Sequence, residues 1–170
     1  MNTTIILDGY NVIHSWPELN RLKEENLAHA RDKLREFMAG YGAFKGYQVV
    51  LVFDAHQSPA NAASEVQDGV AVVYTGEGQT ADSYIEKLAY GLVRQRQTVY
   101  VVTSDWAEQI AVLGAGAFRI SSRELYHDCM TNLQQMASEY AENVLNYRRN
   151  EVGTRLSTDV MKKLDKMRRT

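Results

Sequence analysis

Four aspartates stand at the ends of apolar runs or just inside the helix that follows one. They are Asp8 after Thr3-Thr4-Ile5-Ile6-Leu7, Asp54 after Val49-Val50-Leu51-Val52-Phe53, Asp82 in Gly78-Gln79-Thr80-Ala81-Asp82-Ser83, and Asp105 after Val99-Tyr100-Val101-Val102-Thr103-Ser104. If these runs are parallel strands of one sheet, their carboxyl ends share an edge, where open α/β sheets bind ligands. Carboxylates crowded at such an edge repel one another unless a divalent cation lies among them. Hard oxygen donors, with no cysteine nearby and no His-x-x-x-His pair, suit Mg2+ or Mn2+ rather than zinc. An ion held by carboxylates and waters aligns a water nucleophile and stabilises a departing phosphate oxygen, as in metal-dependent nucleases.

In this reading Asp8 and Asp105 are direct ligands, Asp82 binds directly or through water, and Asp54 orients a water or holds a second ion. Asn11, three residues after Asp8, can hydrogen-bond a carboxylate and fix its rotamer. Each aspartate alone has a plainer role as a turn former, a helix cap or a partner of the helix dipole. Their recurrence at one edge favours a joint role. Thr103 and Ser104 add hydroxyls, and Glu86, one helical turn after Asp82, is a reserve ligand expected to face outward. His14 and His56 fall in loops after the first two strands and are expected as neutral surface histidines. Tyr10, Trp16 and Trp106 lie near the same loops, where they either stack on bases or pack into the core or rim.

The elements that must position these residues follow from periodicity. Leu27, Ala30, Leu34, Phe37 and Tyr41 recur at helical spacing, ended by Gly40, Gly42 and Gly46. Gln48–Phe53 has the composition of a strand buried on both faces. Residues 56–69 are small and polar and read as a mobile loop, followed by a strand at Val70–Tyr74 and a turn at 76–79. Thr80 caps a helix with Ile85, Leu88, Ala89 and Leu92 on its apolar face. A strand at 99–102 leads to a helix opened by Asp105 and Glu108 as a capping box. A last short strand spans 117–120. From Ser121 or Ser122 a long helix carries Leu125, Cys129, Leu133, Met136, Tyr140, Val144 and Tyr147, until Gly153 breaks it before a basic helix over 157–169. Strands alternating with helices imply βαβ units and a mostly parallel sheet.

The 170 residues suit one domain, read as a nuclease-type domain over 1–150 with a basic C-terminal helix over 151–170. The net charge of −2 is unevenly spread, because from Arg148 onward eight basic residues face three acidic ones. Arg148, Arg149, Lys162, Lys163 and Lys166 are therefore the expected foothold for a phosphate backbone. Cys129 is the one cysteine, which precludes an intrachain disulfide and fits a small buried hydrophobe in a reducing compartment. The N-terminus does not read as a signal peptide and no apolar run reaches bilayer length, so a soluble cytoplasmic protein is expected, with no membrane partner.

The string Asp8-Gly9-Tyr10-Asn11, followed by Phe53-Asp54-Ala55, Thr80-Ala81-Asp82 and Thr103-Ser104-Asp105, resembles the NYN branch of the PIN-like nucleases. More narrowly it is similar to the bacterial YacP family, whose characterised activity is ribosome-dependent endonucleolytic cleavage of mRNA. The motifs run from residue 5 to 105, and the long helix and basic tail extend the likeness over nearly the whole chain. The resemblance implies a three-layer α/β, PIN-like fold, with a mostly parallel central sheet flanked by helices and a basic C-terminal helix. It also implies a divalent-metal cluster at Asp8, Asp54, Asp82 and Asp105, single-stranded mRNA as substrate, and entry into the ribosomal A site. Two other α/β chemistries fail on residues. A phosphotransfer receiver needs a paired acid after strand one and a late lysine, where Gly9 and Asp105 stand. A haloacid-type phosphatase needs an aspartate where Tyr10 stands. The remaining rival is a PIN-like module that binds RNA or the ribosome without cleaving.

Overall fold

Alternation along the first strand sets the layers. In the computed structural model, which describes residues 2–54, 63–155 and 166–168, β1 (Thr3–Asp8) turns Ile5 and Leu7 into one buried cluster and Ile6 into another. Successive side chains of a strand point to opposite faces, so a run apolar at every position needs cover on both. Around β1 lie β2 (Gln48–Phe53), β3 (Ala63–Gln67), β4 (Val70–Tyr74), β5 (Thr98–Val102) and β6 (Phe118–Ile120), in the sheet order β3-β4-β2-β1-β5-β6. β1 pairs in parallel with both β2 and β5, β2 with β4, and β5 with β6, while β3 alone runs antiparallel, against β4.

Three helices connect β1 to β2: α1 (Gly9–Ser15), α2 (Pro17–Glu25) and α3 (Leu27–Lys45). They cover one face, where Val12, Ile13, Trp16, Leu19, Ala30, Leu34 and Met38 join Ile5, Leu7, Leu51 and Phe53. The start of α6 (Ser122–Arg155) adds Leu125 and Cys129 to this cluster. α4 (Ala81–Arg94) and α5 (Trp106–Gly114) cover the other face, with Ile85, Ala89 and Val112 against Ile6, Val52, Val99 and Val101. The chain passes from β1 to a neighbour on one side and returns later to pair on the other, which makes the carboxyl end of β1 a topological switch point.

Local signals explain the boundaries. Pro17 opens α2, where its missing N–H costs nothing. Asn26 caps α3 by accepting from the His29 N–H, and Gly46 ends it at φ +73°. Thr80 caps α4 by accepting from the Ser83 N–H, as its position in the sequence predicts. At α6 a reciprocal capping box forms: Ser121 N–H donates to Glu124, and Glu124 N–H donates to the Ser121 hydroxyl.

Three features differ from the sequence reading. α1 and α2 occupy a stretch to which periodicity assigned nothing. The expected loop at 56–69 contains β3, joined to β4 through Asp68 and Gly69, both at positive φ. Two such residues make the hairpin turn that Asp-Gly favours, and Arg35 holds it through Asp68 at 2.6 Å. The first part of that stretch, with His56, lies outside the described residues. Gly153 does not end the long helix, which runs on to Arg155. One helical glycine costs only about 1 kcal/mol relative to alanine, which a helix of this length tolerates.

The chain divides into two compact units, Met1–Met130 and Thr131–Thr170, and the division expected near residue 150 falls inside the second. Most of the expected helix over 157–169 lies outside the described residues, as do Lys162 and Lys163. Among the described residues no helix is long and apolar enough to cross a membrane.

Candidate active site

Parallel pairing delivers the strand ends to one edge of the sheet. Asp8 is the last residue of β1 and lies opposite Val52 of β2, two residues before Asp54. Leu7 lies opposite Val102, so the loop carrying Thr103, Ser104 and Asp105 leaves the sheet beside Asp8. Asp82 is the second residue of α4.

Asp8, Asp54 and Asp82 line one open cleft of about 390 Å³, together with Tyr10, Asn11, His14, Thr80 and Ala81. A larger hollow of about 540 Å³ lies between α4 and α5; among the described residues Glu86 is the one carboxylate that lines it. Glu86 is exposed there, in keeping with its expected outward orientation. We therefore take the smaller, acid-lined cleft at the switch point as the site.

Local bonds fix its walls. The Asp8 carboxylate accepts from the Asn11 N–H at 3.4 Å, capping α1. Asp54 Oδ2 accepts from the Ala81 N–H at 3.3 Å, tying the end of β2 to the start of α4. Asp105 N–H donates to the buried Thr103 hydroxyl at 3.1 Å, and Gln109 Nε2 donates to the Thr103 carbonyl. The Asp105 carbonyl also accepts from the Gln109 N–H, whereas the Glu108 side chain of the expected capping box lies outside the described residues.

Asn11 has a different partner set from the one its spacing suggests. Its Oδ1 accepts from the Ser104 N–H at 3.0 Å and from the Ser122 hydroxyl at 2.7 Å. A backbone N–H can only donate, so the amide oxygen is the atom facing it, and Nδ2 is left as a donor. Asn11 thus ties α1 to the β5–α5 loop and to α6, in addition to lining the cleft. Ser122, fully buried, was legible in the sequence only as a possible start of the long helix, because nothing local links it to a residue so distant.

Neither Trp16 nor Tyr10 presents an open face to a base. Trp16 is 1% exposed, donates Nε1–H to the Ser122 carbonyl, and packs edge-on against Phe37 and Tyr126. Tyr10 is buried against Phe53. Both take the core alternative, while the Trp106 side chain lies outside the described residues. His14 is exposed on the cleft; partial burial and then the neighbouring Lys23 charge hold its pKa below the ordinary value.

The donor set is all oxygen, which suits a hard cation. The described His, Cys, Asp and Glu side chains do not gather in a group of three or more able to cage an ion, and Asp105 is outside the cleft lining. Mg2+ ordinarily keeps several waters and takes only one or two carboxylates, so the set fits a hydrated ion rather than a protein cage. Of the expected phosphate-binding residues, Arg149 and Lys166 are exposed, and the Arg148 side chain lies outside the described residues.

A model of the YacP-like NYN domain matches residues 5–169. An uncharacterized protein YacP of Bacillus subtilis (strain 168) is 36% identical over 165 residues, spanning 97% of this chain and 96% of its own. The crystal structure of Rae1 (YacP) from Bacillus subtilis matches with a TM-score of 0.75 at 36% identity, covering 98% of this chain and 94% of that one. A tryptophan-to-leucine mutant of the same protein matches with a TM-score of 0.64 over 92% of this chain.

Proposed function

Because the chain belongs to the YacP-like NYN domain family, we propose that its acid-lined cleft is the active site of a divalent-metal-dependent endoribonuclease that cleaves single-stranded mRNA. The observation that carries this reading is the convergence of Asp8, Asp54 and Asp82 on one cleft at the carboxyl edge of the sheet. The likeness of the chain to a nuclease-type fold supports it.

Asp8, Asp82 and Asp105 are the side chains that would hold Mg2+ or Mn2+. When bound, such an ion supplies a nucleophilic water at neutral pH and offsets the charge that develops on the phosphate. The protein's part is positional. Asp54, anchored through Ala81, orients water at the cleft or holds a second ion. Asn11, its oxygen engaged twice, offers Nδ2 to the cleft side. With water as nucleophile, the 2′-hydroxyl is not used, and cleavage leaves a 5′-phosphate and a 3′-hydroxyl.

Action in the ribosomal A site, a role in mRNA decay and a cytoplasmic location belong to this proposal through the family resemblance. Arg148, Arg149, Lys162, Lys163 and Lys166 are its proposed contacts to the RNA backbone. A second reading, a PIN-like module that binds RNA or the ribosome without cleaving, draws on the lack of a three-ligand cluster among the described residues. Asp82→Asn separates the two. The nuclease loses cleavage in this variant and keeps RNA binding; the module has no cleavage to lose.

A further inference from the structure

The body of the chain is acidic, and three carboxylates line the cleft, so an incoming phosphodiester meets repulsion unless cations stand close by. Two do, and neither belongs to the C-terminal region. Tyr10 and His14 are one turn apart on the same face of α1, and both line the cleft. Each is held by a cation from the corner between α2 and α3. Lys23 Nζ, in the last turn of α2, donates to His14 Nδ1. Arg31 Nη1, in the second turn of α3, donates to the Tyr10 hydroxyl at 3.1 Å.

What sets these two apart is their seat on two residues that line the cleft; the lack of an ion pair they share with Arg21, Lys87, Arg94, Arg96 and Arg123 among the described residues. Lys33, Arg35, Lys45 and Arg119 each lie within ion-pair distance of a carboxylate, whereas among the described residues Lys23 and Arg31 have none. A positive charge paired with a neutral side chain is not tied up in an ion pair and stays available to offset the repulsion of the acidic walls for an anion. Arg31 spends one N–H on Tyr10 and keeps the remaining guanidinium donors, whose planar fork matches phosphate oxygens. Because His14 Nδ1 accepts from Lys23, its ring proton is on Nε2, which adds a neutral donor at the same rim.

We propose that Lys23 and Arg31, seated on His14 and Tyr10, form the cationic rim that binds the phosphodiester backbone of single-stranded RNA at this cleft. The proposal rests on the nuclease reading for the identity of its ligand. The test is fluorescence anisotropy of a short labelled single-stranded RNA with the full chain carrying Asp82→Asn, so that the probe stays intact in Mg2+. Against that parent, Lys23→Gln and Arg31→Gln are each expected to weaken binding by roughly five- to tenfold at low salt, and to reduce the salt slope by about 0.7 per cation removed. Arg31→Lys and Lys23→Arg, which keep the charge, are expected to restore the slope. Lys33→Gln, two residues along α3 on a different face, is expected to leave it unchanged.

Equal binding and equal slope in the Lys23→Gln/Arg31→Gln double variant would overturn the rim while leaving the nuclease reading intact. Weaker binding with an unchanged slope in the glutamine and charge-keeping variants alike would also overturn it, since the residues would then act through structure alone. Failure of the parent itself to bind RNA would overturn the rim as well, while the nuclease reading stands or falls separately on cleavage in the presence of ribosomes.

Discussion

Asn11 Oδ1 accepts the Ser122 hydroxyl at 2.7 Å, joining a residue that lines the acidic cleft to a buried one 111 positions away in sequence. The same oxygen takes the Ser104 N–H, and the Ser122 carbonyl takes the Trp16 indole N–H. One buried serine thus registers the start of α6 against both α1 and the residue beside Asp8. Its removal leaves an acceptor with one donor instead of two. Ser122→Ala is expected to cost about 1 kcal/mol of stability, the ordinary worth of a protein hydrogen bond. It is also expected to lower kcat more than it raises KM, because Asn11 loses its orientation and not its presence. Urea denaturation together with cleavage kinetics checks both.

Gly9 meets a requirement of space. A methyl group at its Cβ position would fall 2.3 Å from the Phe53 ring, which is held between Tyr10 and Tyr74 and has no room to retreat. Gly9→Ala is expected to destabilise the fold by about 1–3 kcal/mol, the usual range for overpacking a core. Phe53→Leu, although destabilising alone, is expected to relieve part of that penalty in the double variant. A double-mutant cycle in denaturant measures the coupling, and strict additivity would show that the two side chains do not compete.

Stability is expected to fall in alkali. Burial, and then the neighbouring Asp128 carboxylate, push the Cys129 thiol up to about 12 from its ordinary value of 9.0. Tyr41 is raised as well, by burial and by donating its hydroxyl to Asp128 at 2.6 Å. Above pH 9 the unfolded thiol loses its proton while the folded one keeps it, so ionisation favours unfolding. The contribution from Cys129 is complete below pH 9 and declines toward pH 12, by at most about 1.4 kcal/mol per pH unit. Denaturation curves across this range should show the decline, and Cys129→Ala should make it shallower.

The parts of the fold that the sequence reveals are those with short-range signatures. The unbroken apolar runs of β1 and β2 and the Thr80 cap of α4 could be read directly, and with them the placing of Asp8, Asp54 and Asp82. β3 was hidden because it is an exposed edge strand without apolar alternation, although Asp68-Gly69 ahead of Val70 carried a hairpin signal. Trp16 read as a candidate for base stacking because composition does not separate a buried indole from an exposed one. Ser122 was legible only as a possible start of the long helix, and Lys23 and Arg31 have no local signature at all. Their importance comes from partners on other helices, which only the packing of α1, α2, α3 and α6 brings within reach.

The most direct measurement is the cleavage of a translated mRNA in Mg2+, with and without ribosomes, by the wild-type chain and by Asp82→Asn, with the new ends mapped. Expected are cuts bearing a 5′-phosphate, made by the wild type when ribosomes are present and lost in Asp82→Asn. No cleavage under either condition, or equal cleavage by Asp82→Asn, would contradict a metal-dependent nuclease built on this cleft.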